Sequence, residues 1–223
     1  MNYALINAIS PVFRVNWLGE NSVSAQQFWD ERYQGEGYLY GTAPNDFLRS
    51  RAPALPPNSK VLCLAEGEGR NAVYLAQMGF EVTSIDISPV AIQKGKAFAE
   101  AKGVSVDWCC ADLDSHPIGE AKWDAIVAIY MHLPPSLRQK VFLQIPKALT
   151  SNGYFIGEFY RKEQLLLNSG GPKDAEMLYC PTLLKQELNP LVCEHHLVLN
   201  REVIEGSGHN GMAAVVQVVA RKV

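Results

Sequence analysis

From Lys60 onward the chain alternates short apolar runs with helical stretches, and this alternation constrains the fold more than any other feature. Residues 61–65 form an apolar run closed by glycines, 71–78 read as a helix stopped at Gly79, and 81–85 as a second strand. Ser88 and Pro89, a cap followed by a proline in the first turn, start a helix that runs to about Lys102 and is closed by Gly103. A third strand is expected over 104–109 and a fourth over Trp123–Ile129. Leu137, Val141, Ile145 and Ala148 share one helical face, and Pro146 is expected to kink that helix or end it early. After a turn at 151–153, residues 154–159 are a fifth strand. Runs this apolar are buried on both faces, which implies a mainly parallel sheet with helices on each side. The end of the chain breaks the pattern. Val192–Glu205 and 212–223 are strand-like with no helix between them, so they form a hairpin and one of them runs antiparallel to its neighbours.

Upstream the signal is weaker. The first two dozen residues show no period, and 1–24 are expected as a loosely attached arm ahead of a single domain at 25–223. A short amphipathic segment over 24–33 carries Phe28, Trp29 and Tyr33. It is followed by a loop rich in glycine and tyrosine at 35–42 and a short helix capped by Asn45. A net charge of −3 disfavours a large phosphate-binding face, so a nucleic acid partner is not expected. No apolar run is long enough to span a bilayer, the N-terminus lacks the marks of a signal peptide, and no membrane partner is expected. The five cysteines are odd in number and irregularly spaced, which argues for free thiols, no metal site and a reducing, cytoplasmic setting.

Chemistry concentrates after the first strand. Gly67, Glu68, Gly69, Arg70, Asn71 and Ala72 match the G-x-G-x-x-G/A fingerprint. Its glycines let backbone amides approach a ligand, at a helix start that favours negative charge. Asp86 ends the second strand, where a carboxylate can accept both ribose hydroxyls of an adenosine. Asp112 follows the third strand and can accept from the adenine amino group, with Leu113 beside it and Ile87 over one face of the base.

Taken together, the run from Val61 to Ala72, then Ile85-Asp86-Ile87-Ser88, then Ala111-Asp112-Leu113 resembles class I S-adenosylmethionine-dependent methyltransferases. The resemblance is closest to the tellurite-resistance and thiopurine methyltransferase-like branch, which Tyr40-Gly41-Thr42-Ala43-Pro44-Asn45, Glu205-Gly206 and His209-Asn210-Gly211 also resemble. It implies a Rossmann-like, doubly wound α/β fold with a seven-stranded, mostly parallel sheet and a C-terminal antiparallel hairpin. It also implies S-adenosylmethionine as cofactor. The class pattern has an acid where Cys63 stands and a glycine where Ala65 stands. Glu66 and Glu68 are then the nearest carboxylates for the methionine amino group, and Glu66 is favoured because it precedes the first glycine.

The sulfonium already activates the methyl group, so the protein's task is to align a nucleophile in line with it. A base is needed only if the acceptor arrives protonated. No residue need therefore be catalytic in the usual sense. Tyr130 ends the fourth strand, among the expected cofactor residues. Tyr40, His132, Tyr160, Arg161 and His209 are the candidates for the acceptor side. The Asn/Asp-Pro-Pro-aromatic signature of amino-group methylation is missing, and a small-molecule acceptor, a thiol or a chalcogen oxyanion among them, is expected. The chain is expected as a monomer or homodimer. The rivals are an NAD(P)-dependent oxidoreductase and a non-catalytic interaction protein on the same scaffold.

Overall fold

The computed structural model describes residues 23–223. The arm expected over 1–24 therefore lies almost wholly outside the described residues. Two helices lead in: α1 (Ala25–Tyr33), capped by the Ser24 side chain, and α2 (Asp46–Arg51), capped by Asn45. The alternating part follows as β1 (Lys60–Leu64), α3 (Arg70–Gln77), β2 (Glu81–Asp86), α4 (Pro89–Ala101), β3 (Asp107–Cys110), β4 (Trp123–Ile129), α5 (Pro135–Ala148) and β5 (Leu149–Tyr160). α6 (Pro181–Glu187) precedes the hairpin of β6 (Val192–Glu205) and β7 (His209–Arg221).

The sheet has seven strands in the order β3-β2-β1-β4-β5-β7-β6. β1 to β5 pair in parallel, and β7 runs antiparallel to both β5 and β6. β1 shows how the layers form. Val61 and Cys63 enter a core with Phe47 and Leu48 of α2, Val73 and Leu75 of α3 and Phe98 of α4. Leu62 and Leu64 enter the opposite core with Val141, Phe142 and Ile145 of α5 and Leu184 of α6. Alternate side chains of one strand thus bury two layers of helix. The carboxyl ends of β1 to β6 reach one rim, and the chain order reverses between β1 and β4, where open α/β sheets carry their ligands.

Several boundaries differ from expectation. β3 begins at Asp107, because Val104 is taken by α4, where its N–H donates to Ala99 O at 3.1 Å. The turn expected at 151–153 lies inside β5 as an irregularity between the pairs Trp123–Leu149 and Ala125–Tyr154, with Asn152 at φ +65°. Pro146 sits in the last turn of α5, which ends two residues later at Ala148. β7 starts at His209, since Asn210 and Gly211 pair in register with Ile204 and Val203. α6 and two short 3₁₀ turns, Lys162–Leu166 and Ala175–Met177, occupy a stretch to which the sequence pattern assigned no element.

Trp108 of β3 packs across α4. A Cβ on Gly95 would lie 2.5 Å from two of its ring carbons, and one on Gly69 would lie 2.5 Å from one of the same two. The glycine turn and α4 are thus drawn together over one indole. Gly95→Ala is expected to lower stability by about 1–3 kcal/mol despite its better helix propensity. Trp108→Leu in the same chain should recover part of the loss. Urea unfolding of the three variants checks this.

Candidate active site

The glycine turn is built on positive φ angles. Ala65 is at +49°, Gly67 at +67° and Gly69 at +89°. Ala65 accepts a conformation that disfavours a side chain by roughly 1 kcal/mol, which explains why a glycine suits this position. Glu66 folds back onto the start of α3. Its Oε1 accepts from Asn71 N at 2.7 Å and Ala72 N at 2.9 Å, satisfying two of the helix's free amides. Burial pushes this carboxyl up to about 7, against those hydrogen bonds. Glu66 therefore caps the helix through Oε1, while its Oε2 meets only Asn71 Nδ2 at 3.4 Å. Cys63 is wholly buried in the apolar layer, and burial pushes its thiol up.

Asp86 holds the turn from the tip of β2. Its Oδ2 accepts from Gly67 N at 2.7 Å and its Oδ1 from Ser88 N at 2.9 Å. It is 6% exposed, and burial pushes its carboxyl up to about 6. Asp112 lies at the tip of the neighbouring strand, where Ala111 N donates to Asp86 O at 2.9 Å. It is exposed, and its Oδ1 accepts from Asp114 N at 2.8 Å in a local turn. Leu113 is buried and Ile87 half-buried beside them. The two acids expected to hold an adenosine are thus neighbours on one rim, each partly engaged by its own backbone.

The segment from α1 to Asn45 closes over this turn, an arrangement the sequence pattern did not reveal. Lys94 of α4 donates to Tyr33 O at 2.9 Å and Gly35 O at 3.1 Å, and lies 2.5 Å from Glu68 Oε1. Glu68 in turn accepts from Leu39 N at 2.7 Å, and Asn71 Oδ1 from Asn45 N at 2.9 Å. Ser88 Oγ donates to Asp30 Oδ1 at 2.5 Å. The Tyr33 hydroxyl reaches so near Gly67 that a Cβ there would lie 2.7 Å from it. The advance signals were the spacing of Phe28, Trp29 and Tyr33 and the glycine- and tyrosine-rich loop at 35–42, with Tyr38 and Tyr40 placed to lid a pocket.

Next to the turn two carboxylates are buried. Glu158 of β5 is fully enclosed and accepts from Asn45 Nδ2 at 2.8 Å, Tyr130 Oη at 2.7 Å, Arg201 Nη2 at 2.6 Å and Gln217 Nε2 at 2.5 Å. Glu205 at the end of β6 accepts from Arg70 Nη2 at 2.9 Å, and His209 Nδ1 lies 3.2 Å away. Burial works against the Glu205 charge, but His209 and Arg70 hold its carboxyl down to about 2.

Over these groups sits a cluster of rings from four distant parts of the chain. The ring centroids of Tyr130 and Tyr160 are 4.5 Å apart, Tyr130 and His209 4.6 Å, Tyr40 and His209 4.4 Å, and His132 and Tyr160 5.5 Å. Tyr130, expected among the cofactor residues, stands in this cluster at φ +53° with its hydroxyl on Glu158. Four of the five acceptor-side candidates meet here. The fifth, Arg161, is engaged elsewhere, by Asn200 Oδ1 at 2.5 Å and Glu163 Oε2 at 2.7 Å. His195 and His196 face different surroundings, His195 stacking on Phe47 and His196 meeting Pro181 O. Among the described residues there is no cluster of metal-ligating side chains and no helix long and apolar enough to cross a membrane.

Residues 61–153 match the family described as a methyltransferase domain. That match gives residues 61–153 as the part of the chain that is similar to methyltransferase domains. The chain is similar to the tRNA 5-carboxymethoxyuridine methyltransferase of Escherichia coli K12, at 30% identity over 155 residues that cover 65% of this chain and 58% of the relative. Among solved structures, TehB from Haemophilus influenzae shares the fold at a TM-score of 0.67 and 19% identity, covering 89% of this chain and 67% of that one. The N-methyltransferase NodS from Bradyrhizobium japonicum, in complex with S-adenosyl-L-homocysteine, does so at a TM-score of 0.66 and 15% identity, covering 88% of this chain and 97% of that one. The chain spans between 20% and 58% of the length of the curated relatives at either end of the matches.

Lys94 is the clamp that holds the N-terminal segment on the methyltransferase domain. Lys94→Met is expected to weaken that closure by about 2 kcal/mol, the scale of hydrogen bonds from a charged donor. Limited proteolysis should then cut within 24–44 several times faster, with the far-ultraviolet spectrum of the sheet unchanged. Equal cleavage in both proteins would show that the clamp contributes nothing.

Proposed function

We propose that this chain is an S-adenosylmethionine-dependent methyltransferase acting on a small molecule. The observation that carries the reading is the division of one rim: Asp86 and Asp112 stand at the tips of β2 and β3, the ring cluster at the tips of β4 and β5, and the glycine turn between them. The bound cofactor supplies a methyl group on a sulfonium, already activated for displacement.

The residues present suit it. Asp86 would accept from the ribose hydroxyls, Asp112 from the adenine amino group, and Ile87 and Leu113 would cover the base. Gly67 and Gly69 let the turn adopt its positive φ angles, with Tyr33 and Trp108 packed where their side chains would be. Glu66, which precedes the first glycine, would meet the amino group through its Oε2, with Glu68, engaged by Lys94 and Leu39, as the other carboxylate at the turn. The closed N-terminal segment excludes water, which strengthens every fixed dipole around the transferring group. The ring cluster would orient the acceptor on the far side, so that the contribution of the protein is chiefly alignment. Five free thiols fit a reducing, cytoplasmic setting for residues 25–223 acting as one domain.

An acceptor smaller than a polynucleotide fits the net charge of −3 and the enclosure of the ring cluster. The similarity to a tRNA methyltransferase favours a second reading, an RNA acceptor. A labelled-methyl screen over thiols, chalcogen oxyanions and bulk tRNA separates the two, and label in tRNA alone would replace the first with the second.

Calorimetry is expected to show S-adenosylhomocysteine binding and no NAD binding. Asp86→Asn, which keeps the size of the side chain beside Gly67 and Ser88, should weaken the former about 10-fold to 100-fold. The carboxylate is the stronger acceptor, and its acidity lies near 6. Affinity should therefore be full above that pH and fall as pH drops through it. Unchanged affinity in the variant, or NAD binding alone, would refute the assignment.

A further inference from the structure

Two buried polar atoms in the ring cluster have no hydrogen-bond partner among the described residues: His132 Nε2 and Tyr160 Oη. Native interiors seldom leave such groups unmade, and one that persists calls for a reason. Tyr160 is fully buried, and His132 is partly exposed as a residue although its Nε2 is shut off from solvent. The two rings are nearly parallel, at 14°, with centroids 5.5 Å apart.

The tautomer of His132 follows from its other nitrogen. Nδ1 lies 2.9 Å from Met177 O, and a carbonyl oxygen only accepts, so Nδ1 carries the proton and donates it. Nε2 is then a bare lone pair. Tyr160 offers the complement, an O–H that can donate. A base and a donor are therefore carried on stacked rings, His132 just past β4 and Tyr160 at the end of β5, beyond the glycine turn from Asp86.

We propose that the acceptor reaches this site as a neutral molecule bearing an S–H or O–H group, and that His132 Nε2 is the catalytic base that takes its proton. The proposal rests on the methyltransferase reading and chooses within it, against an acceptor that arrives as an anion. The step balances. A lone pair on the acceptor sulfur or oxygen forms the new bond to the methyl carbon as the carbon–sulfonium bond breaks and leaves a neutral thioether. The acceptor proton passes to Nε2, giving an imidazolium that releases it to water entering after the methylated product departs, while Tyr40 and His209 are still apart. Tyr160 Oη donates to the acceptor and holds it in line. Burial keeps the imidazole down at about 3, so its lone pair is present throughout the neutral range. So weak a base suffices, because the acceptor proton becomes strongly acidic as the carbon bond forms. The surrounding rings of Tyr130 and His209 suit a flat acceptor, and Tyr40 must part from His209 to admit it.

The test compares two ring-bearing thiols at pH 7 with S-adenosylmethionine: phenylmethanethiol, which is protonated there, and 4-nitrothiophenol, which is ionised. His132→Asn keeps a donor for Met177 O and removes the base. With this variant, kcat for phenylmethanethiol is expected to fall about 100-fold, while that for 4-nitrothiophenol changes less than about threefold. An equal fall for both thiols would mean a structural role for His132 and overturn the proposal. So would no change for either, or no transfer by the wild-type chain to either thiol while S-adenosylhomocysteine binds. Failure of the wild-type chain to bind S-adenosylhomocysteine at all would instead remove the methyltransferase reading. Should the variant not fold, nitrogen-15 shifts of His132 in the wild-type protein decide: a protonated Nε2 in the resting chain would end the assignment.

Discussion

Two carboxylates buried at the carboxyl rim of the sheet set the terms for everything around them. An unpaired ion in the interior is prohibitively unfavourable, and a pair is tolerated only when its remaining lone pairs are satisfied as well. Glu158 and Glu205 meet that condition through Arg70, Arg201, Asn45, Gln217, Tyr130 and His209. These partners come from the glycine turn, the N-terminal segment and three strands. Breaking any one of them leaves a buried charge or a buried lone pair without its partner, so the network fixes where these parts stand relative to one another. The hydrophobic layers could tolerate small slips between helices and sheet. The network tolerates far less.

That rigidity explains the ring cluster above it. Tyr130 leaves β4 with a left-handed backbone, unusual for an aromatic residue, and the hydrogen bonds of its hydroxyl to Glu158 and of its N–H to Glu158 O hold it there. Tyr160 and His209 then pack against a ring whose position is already determined. A site assembled from side chains on strand tips and braced from below keeps its geometry better than one carried on free loops.

The division between what the sequence disclosed and what it did not follows a physical line. β4 is bounded as expected, and the apolar pattern of β7 marks it as an inner strand, because burial on both faces leaves an unbroken apolar run. Ser88 and Gly103 mark the ends of α4 through local capping chemistry. Signals of this kind are contained in a window of a few residues. The contacts that make the site are not. Asn45 and Glu205 are 160 positions apart, and nothing in the periodicity near either residue announces the other. Glu66 shows a subtler limit: its position beside the glycines was legible, but its orientation toward the start of α3 was not. Asp86 and Tyr160 were placed at the right rim because a strand end can be read, whereas Arg161, one residue further, turns to Asn200. The seven residues of α6 are too few to establish a helical period.

The ion pair of Arg70 with Glu205 ties the two halves of the rim directly, charge to charge. Arg70 opens α3 beside the glycine turn, while Glu205 ends the strand whose loop leads to His209. A displacement of that loop cannot leave the guanidinium indifferent, nor the reverse. By thermodynamic reciprocity, whatever factor one ligand imposes on the affinity of the other through this link must be returned in full. Order of addition would then alter the path by which the ternary complex forms, and not its free energy.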